Sequence, residues 1–264
     1  TGEGVIEDWT GGLEDLAAKR VRFIGDAEAR IREDHLRMLR FFRFDARFGG
    51  ERPDDTAIEA CRALADLVAH LSGERLQDEL FRLLPTARAG QALAAMQDVG
   101  LLAQTLTVPA DVERFTTVSR HADFDAMDAV LGLRLLLPHE VALINQVADR
   151  LKLSNADRRR LVGSVEKPSP LTDTTIRLLA YREGRARAED SLWLAHGDGR
   201  LSAEYLSEHL ARLRAWDIPK LPVDGHAVID HGVPPGPMVK QALAALEAWW
   251  FEHDTTPDRA ALLE

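Results

Sequence analysis

The 264 residues, 45% hydrophobic and 29% charged, are enough for two or more compact units with their own cores. The single cysteine, Cys61, excludes an intramolecular disulfide, no apolar run reaches membrane-spanning length, and the first residues carry no charged-then-apolar signal pattern, so a cytoplasmic protein with no membrane partner is expected. A formal net charge of −10 argues against indiscriminate nucleic-acid binding, which calls for a basic surface.

Thr1 to Leu16 carry Val5 and Ile6 ahead of Gly11 and Gly12, the pattern of a short strand entering a tight turn. From Ile31 to Arg47 the chain reads IREDHLRMLRFFRFDAR, which predicts one amphipathic helix. At 100° per residue Ile31, Met38, Leu39, Phe42 and Ala46 share an arc, and Asp34, Arg37, Arg40, Arg43 and Arg47 spread over the rest. Between Lys19 and Arg47 nine Lys or Arg stand against five Asp or Glu, a local balance of +4 in an acidic chain.

On such a helix Asp34 and Arg37 are neighbours, one offering acceptors and the other a fork of donors. That pair can imitate the edge of a nucleobase. A carboxylate accepts from the amino group of cytosine or adenine and an arginine donates to a ring nitrogen or carbonyl, whereas uracil and guanine present the wrong polarity. The same spacing also fits an ordinary Glu33–Arg37 ion pair on a solvated arginine face.

Helices are predicted near Asp55 to Leu71, Glu74 to Leu84 and Ala89 to Val99, with Leu80, Leu83 and Leu84 placed to pack on the arginine-rich helix. Cys61, at an apolar helical position, reads as a small buried residue. Further helices follow near Asp125 to Leu136 and His139 to Leu151, and one led by Ser154 with Asp157 in capping range. EKPSPLTD (Glu166 to Asp173) is the best boundary, since its prolines interrupt regular helices. Beyond it lie helices over Thr172 to Tyr181, Ala188 to His196, Ser202 to Ala215 and Met238 to His253, where Trp249 and Trp250 read as packing residues. Arg158 to Arg160, and Arg182, Arg185 and Arg187, form basic clusters that fit either an RNA contact or a solvated helix end. His226 and His231 flank Asp230 in an expected turn-rich loop.

Three stretches resemble successive motifs of the bacterial tRNA nucleotidyltransferase and poly(A) polymerase family, its class II CCA-adding branch: DWTGGLEDL (Asp8 to Leu16), RFIGDAEARIREDHLRMLRFFRF (Arg22 to Phe44) and SGERLQDEL (Ser72 to Leu80). The family carries a Gly-Gly turn, here Gly11 and Gly12, then E-D-x-x-R-x-x-R, here Glu33, Asp34, Arg37 and Arg40, then E-R-x-x-x-E, here Glu74, Arg75 and Glu79. Leu221 to Trp250 is similar to the family's tail signature, with His226, Ala227 and Val228 where an Arg-Asp-Leu run is usual.

The resemblance implies an all-α multi-helical array of neck, body and tail with a short remnant of an α/β catalytic head, divided as 1–20 head remnant, 21–100 neck, 101–168 body and 169–264 tRNA-binding tail. It implies addition of CCA to tRNA 3′ ends from CTP and ATP. Asp34 and Arg37 would pair with the incoming base, Arg40 would orient them or meet the triphosphate, and Glu33, Glu74, Arg75, Glu79, Gly11 and Gly12 would support the site. The family's metal-holding carboxylates, its Gly-Ser turn and its R-R-D segment have no counterpart here, so the catalytic residues and the Mg2+ ions are expected on a head outside this chain, and the chain alone is expected to be inactive. An A-adding or poly(A) polymerase shares the motifs, and a noncatalytic helical RNA-binding protein is the reading from another class. His121, Asp123 and Asp125 lack the adjacent His-Asp pair of a metal phosphohydrolase, and no metal site is expected within the chain.

Overall fold

The computed structural model describes residues 7–121, 127–163 and 170–264. Val5 and Ile6, Asp123 and Asp125, and residues 166–169 of the proline-containing segment lie outside them. Among the described residues there are seventeen α-helices, one 3-10 helix and no strand, the all-α class expected. The chain divides into two compact units, Thr1–Glu166 and Lys167–Glu264.

The first unit opens on α1 (Gly12–Ala17), which buries none of its residues. Its entry turn is organised by Asp8, whose carboxylate accepts from the backbone N–H groups of Thr10, Gly12 and Leu13 at 3.1, 2.8 and 2.8 Å. Gly11 takes φ +74°, the left-handed region that favours glycine. Next comes α2 (Ala27–Glu33), N-capped by Asp26 through a 2.7 Å bond from the Ala29 N–H.

The single helix predicted from Ile31 to Arg47 does not form. The chain leaves helical geometry at Asp34, which is extended (φ −154°, ψ 106°), and resumes as α3 (Arg37–Phe48). The cause is local. The Asp34 carboxylate accepts from the Leu36 N–H at 3.2 Å, one of the side-chain to backbone bonds by which aspartate competes with the helical ladder. The apolar arc survives the break, because Ile31, Met38, Leu39, Phe42 and Ala46 are all at most 3% exposed. At the far end of α3, Gly49 leaves room for Asp45, since a Cβ there would stand 2.2 Å from the Asp45 Oδ1.

Then come α4 (Asp55–Leu64), a 3-10 turn (Ala65–His70), α5 (Gly73–Leu83) and α6 (Ala89–Asp98). Helix α3 packs on α5 and α6, and α2 packs on α4. Leu80, Leu83 and Leu84 are each 1% exposed, as the periodicity requires. The rest of this unit is α7 (Leu101–Leu106), α8 (Val112–Ser119), α9 (Ala129–Leu136), α10 (Val141–Arg150) and α11 (Asn155–Gly163). Gly73 fixes where α5 begins, because a Cβ on it would meet the Arg150 carbonyl oxygen at 2.1 Å. Arg150 reciprocates by donating to the carbonyls of Leu71 and Val68 at 3.0 and 3.2 Å.

The second unit holds α12 (Asp173–Glu183), α13 (Arg185–Gly197), α14 (Ala203–Ala215), α15 (Gly225–Asp230), α16 (Pro237–Glu252) and α17 (Arg259–Leu263). One part of its core gathers Val223, Ala227, Trp250, Phe251 and Leu262. Trp250 is 2% exposed and donates its indole N–H to the Pro257 carbonyl at 3.0 Å, whereas Trp249 is 39% exposed beside the His253 ring. Only one of the two tryptophans therefore packs, since adjacent residues point to different sides of a helix. The expected loop around His226 is helix α15, started by the Asp224 carboxylate accepting from the Ala227 N–H at 2.9 Å.

Candidate functional site

The break between α2 and α3 decides what each charged residue can do. Arg37 is the first residue of α3, and its Nη1 donates to Glu33 Oε2 at 2.6 Å and to the Arg30 carbonyl at 2.9 Å. Arg30 Nη1 reaches the same Glu33 oxygen at 2.6 Å. One carboxylate thus serves two guanidiniums, and the Arg37 bond holds Glu33 below the ordinary carboxylate range.

Asp34 faces a different partner. Arg75 Nη2, on α5, donates to both of its oxygens at 2.9 Å. Asp34 and Arg37 are joined by a turn bond from the Arg37 N–H to the Asp34 carbonyl at 3.0 Å, with no ion pair between their side chains. The helical neighbour relation inferred from three-residue spacing does not hold, because Asp34 is off the helix. Its Oδ2 still has a lone pair to offer, since it accepts from Arg75 alone, whereas Oδ1 accepts from both Arg75 and the Leu36 N–H.

Glu79, also on α5, sits under α3. Its side chain is 8% exposed and meets Arg43 Nε at 2.6 Å and Arg40 Nε at 4.0 Å. Arg43 is 12% exposed and stacks over Phe44 at 4.3 Å, which shields this pair from water. Arg75 and Glu79 therefore tie α5 to the α2–α3 break and to α3, while Glu74 is exposed at the first turn of α5. Gly11 caps α1 and Gly12 is its first residue; a Cβ on Gly11 would come 3.7 Å from Arg22 Nη2.

Beside Arg37 the chain forms a groove of about 380 Å³ walled by Arg22, Arg30, Arg37 and Arg40, with Phe23, Phe41 and Phe44 supplying apolar surface. Phe23 and Phe41 stack at 5.6 Å, which joins the segment before α2 to α3. Arg22, Arg30 and the phenylalanines lie within the motif-like stretch Arg22 to Phe44 but were given no role of their own in the sequence. The signal available was the +4 balance of Lys19 to Arg47.

The basic clusters farther along are largely neutralised at home. Arg158 pairs with Asp149, Arg160 meets Asp128 at 2.6 Å, and Arg182 meets Glu247 at 2.5 Å. Arg185 donates to the Trp216 carbonyl at 2.7 Å, and the buried Arg187 meets Glu183 at 3.2 Å. A second groove, about 900 Å³, lies within the second unit, where Lys220, Lys240 and the paired Arg182 join Tyr181, Leu221 and Leu243. Both lysines are exposed and neither has a carboxylate partner among the described residues. The Cys61 thiol is buried and pushed up to about 12 by burial, so it is no nucleophile.

Comparison with known proteins gives this arrangement relatives. Residues 52–110 match the family model described as "Probable RNA and SrmB- binding site of polymerase A". The chain is 30% identical over 262 residues to the mitochondrial CCA tRNA nucleotidyltransferase 1 of Danio rerio, covering 94% of this chain and 59% of that protein. It is also 30% identical to the CCA-adding enzyme of Latilactobacillus sakei, over 93% of this chain and 63% of the relative. Over nearly its whole length the chain is thus similar to members of the tRNA nucleotidyltransferase and poly(A) polymerase family.

Solved nucleotidyltransferases have the same fold. The Bacillus stearothermophilus CCA-adding enzyme, solved with CTP, aligns with a TM-score of 0.68 at 25% identity, over 96% of this chain and 66% of that one. The Thermotoga maritima CCA-adding enzyme, solved with a tRNA, has a TM-score of 0.68 at 19% identity, over 97% and 65%. The chain spans about three-fifths of the length of the nucleotidyltransferases it matches.

Proposed function

We propose that the protein carrying this sequence extends tRNA 3′ ends with CCA from CTP and ATP, and that this chain supplies base selection and RNA contact. The observation that carries the reading is the pinning of Asp34 by Arg75 and of Arg37 by Glu33 beside an arginine-lined groove. In this reading Asp34 accepts from the amino group that cytosine and adenine share, Arg37 donates to the ring nitrogen or carbonyl beside it, and Arg40 orients the pair or meets phosphate. Arg75, Glu79 and Glu33 restrict the side chains that read, so the ordering entropy is spent at folding and not at each nucleotide. Glu74, Gly11 and Gly12 shape the ends of the supporting elements.

The bond-forming step is attack of the RNA 3′ hydroxyl on the α-phosphate with pyrophosphate leaving. None of the residues above is assigned to it. The family's divalent metals need carboxylate ligands, and among the described residues no three His, Cys, Asp or Glu side chains gather to hold an ion, so no step here is routed through Mg2+. The tail groove with Lys220 and Lys240 is the surface we assign to tRNA. Among the described residues no helix is long and apolar enough to cross a membrane, and a lone buried thiol suits a reducing compartment, for which we take the cytoplasm.

Nucleotide binding by the purified chain tests the reading. CTP and ATP should bind more tightly than UTP and GTP, and Asp34→Ala and Arg37→Ala should erase the difference. Equal binding of all four by the unaltered chain would sink it. The family model's name, polymerase A, favours a second reading in which the product is an A tail; incorporation of CTP by the complete protein separates the two.

A further inference from the structure

Arg150 closes α10 and is half-buried, yet it pairs with no carboxylate among the described residues. Its two terminal nitrogens go to backbone. Nη1 donates to the Leu71 carbonyl at 3.0 Å and Nη2 to the Val68 carbonyl at 3.2 Å, where the 3-10 turn (Ala65–His70) ends and leads into α5. Carbonyls at a helix end are short of donors and carry the negative end of its dipole, so a guanidinium caps them well.

The backbone of the same residue makes a second contact. Its carbonyl oxygen stands 2.1 Å, and the Lys152 Cγ 2.9 Å, from where a Cβ on Gly73 would be, so the first turn of α5 lies directly on the C-terminal end of α10. Lys152 takes φ +55° to turn the chain there, a left-handed conformation that persists in a lysine only where the surroundings impose it. Ser72, the residue before α5, gives the helix no side-chain cap. The start of α5 is therefore located by α10 and not by a cap of its own.

What α5 carries makes that location consequential. Two residues beyond Gly73, Arg75 holds both oxygens of Asp34 at 2.9 Å, and one turn later the buried Glu79 meets Arg43 of α3 at 2.6 Å. Leu76 and Leu80, 0% and 1% exposed, fix the same helix in the core. Rigid helices and hydrogen bonds carry a displacement from one end of such a chain of contacts to the other.

We propose that Arg150 is a positioning residue for base selection: by capping the 3-10 turn and seating Gly73 it fixes where Arg75 stands, and through Arg75 where Asp34 points. The consequence for specificity rests on the base-reading proposal, whereas the hold on Arg75 depends on no ligand. A site whose supporting contacts are loosened keeps its residues and loses their geometry.

Amide hydrogen exchange and nucleotide titration of the whole chain test the two parts separately. Arg150→Ala should speed exchange of the Leu76 amide in α5 and of the Leu36 and Arg37 amides at the α2–α3 break about 10-fold, the scale of one hydrogen bond, and leave the interior of α6 unchanged. Its preference for CTP over UTP should fall about 3-fold or more. Arg150→Lys, which keeps a charge and a donor, should retain part of both. Arg62→Ala removes a comparable arginine contact, to the Asp98 carbonyl and carboxylate, without touching α5, and should change neither. Added to Arg75→Ala, Arg150→Ala should bring no further loss of preference, because the path is already cut. Unchanged exchange at Leu36 and Arg37 overturns the proposal whatever the nucleotides do. Faster exchange throughout the unit, α6 included, overturns it as well by making Arg150 a general stabiliser. Raised exchange at the break with an intact preference for CTP would overturn its part in specificity. Equal binding of CTP and UTP by the unaltered chain would overturn the base-reading proposal and that part with it, while raised exchange at the break would still uphold the hold on Arg75.

Discussion

Arg75 Nη2 stands 2.9 Å from both carboxylate oxygens of Asp34 and ties the break between α2 and α3 to the first turns of α5. The two side chains are 48% and 31% exposed, so the bridge itself contributes less than about 1 kcal/mol to folding. Its effect is on where Asp34 points. Arg75→Ala should leave the melting temperature nearly unchanged and relax the choice of CTP and ATP over UTP and GTP. Intact discrimination in that variant would show that the Asp34 carboxylate is placed by its backbone alone.

Glu79 is the opposite case, with itself and Arg43 at 8% and 12% side-chain exposure. Removing one partner of such a pair strands the other charge in a dry setting, a loss of about 3 kcal/mol or more. Glu79→Ala should therefore lower stability in chemical denaturation by that order, and Glu79→Gln, which keeps an acceptor, by less. A loss below about 1 kcal/mol would mean that Arg43 finds water or another acceptor.

Asp45 is 5% exposed, and burial raises its carboxyl above the ordinary value of 3.8 although Arg88 lies 3.7 Å away. The folded state therefore binds the proton more tightly than the unfolded chain. This group's contribution falls as pH rises from 3.8 through the raised folded value and is level above it. Asp45→Asn should be as stable as the parent at low pH and more stable at neutral pH, since Arg88 also donates to the carbonyls of Asp45 and Gly49. Melting temperatures measured from acid to neutral pH would reveal the difference, and parallel curves would contradict it.

Lys220 and Lys240 have no carboxylate partner among the described residues, so their charge is available to a polyanion. If RNA runs along their groove, Lys220→Glu with Lys240→Glu should weaken tRNA binding. The slope of log affinity against log salt should also become shallower by about 1 to 2, one unit or less for each phosphate that the protein no longer neutralises. The same reversal at Arg158, already paired with Asp149, should act mainly on stability. An unchanged salt slope would place the RNA elsewhere.

The all-helical class, the burial of Ile31, Met38, Leu39, Phe42 and Ala46, the packing of Leu80, Leu83 and Leu84, and the inert Cys61 were legible in the sequence, because apolar periodicity reports which face is covered. Family motifs marked Asp34, Arg37 and Arg40. Tertiary structure decided who holds them. Asp34 leaves the helix through its own bond to the Leu36 N–H, and from there it meets Arg75, forty-one residues on, while Arg37 turns to Glu33. Helical spacing reports neighbours only while the helix continues, and a short polar side chain that bonds backbone can end it within one residue. The groove of Arg22, Arg30, Arg37 and Arg40 has the same origin, since only folding brings the segment before α2 against α3 and sets four guanidiniums along one wall.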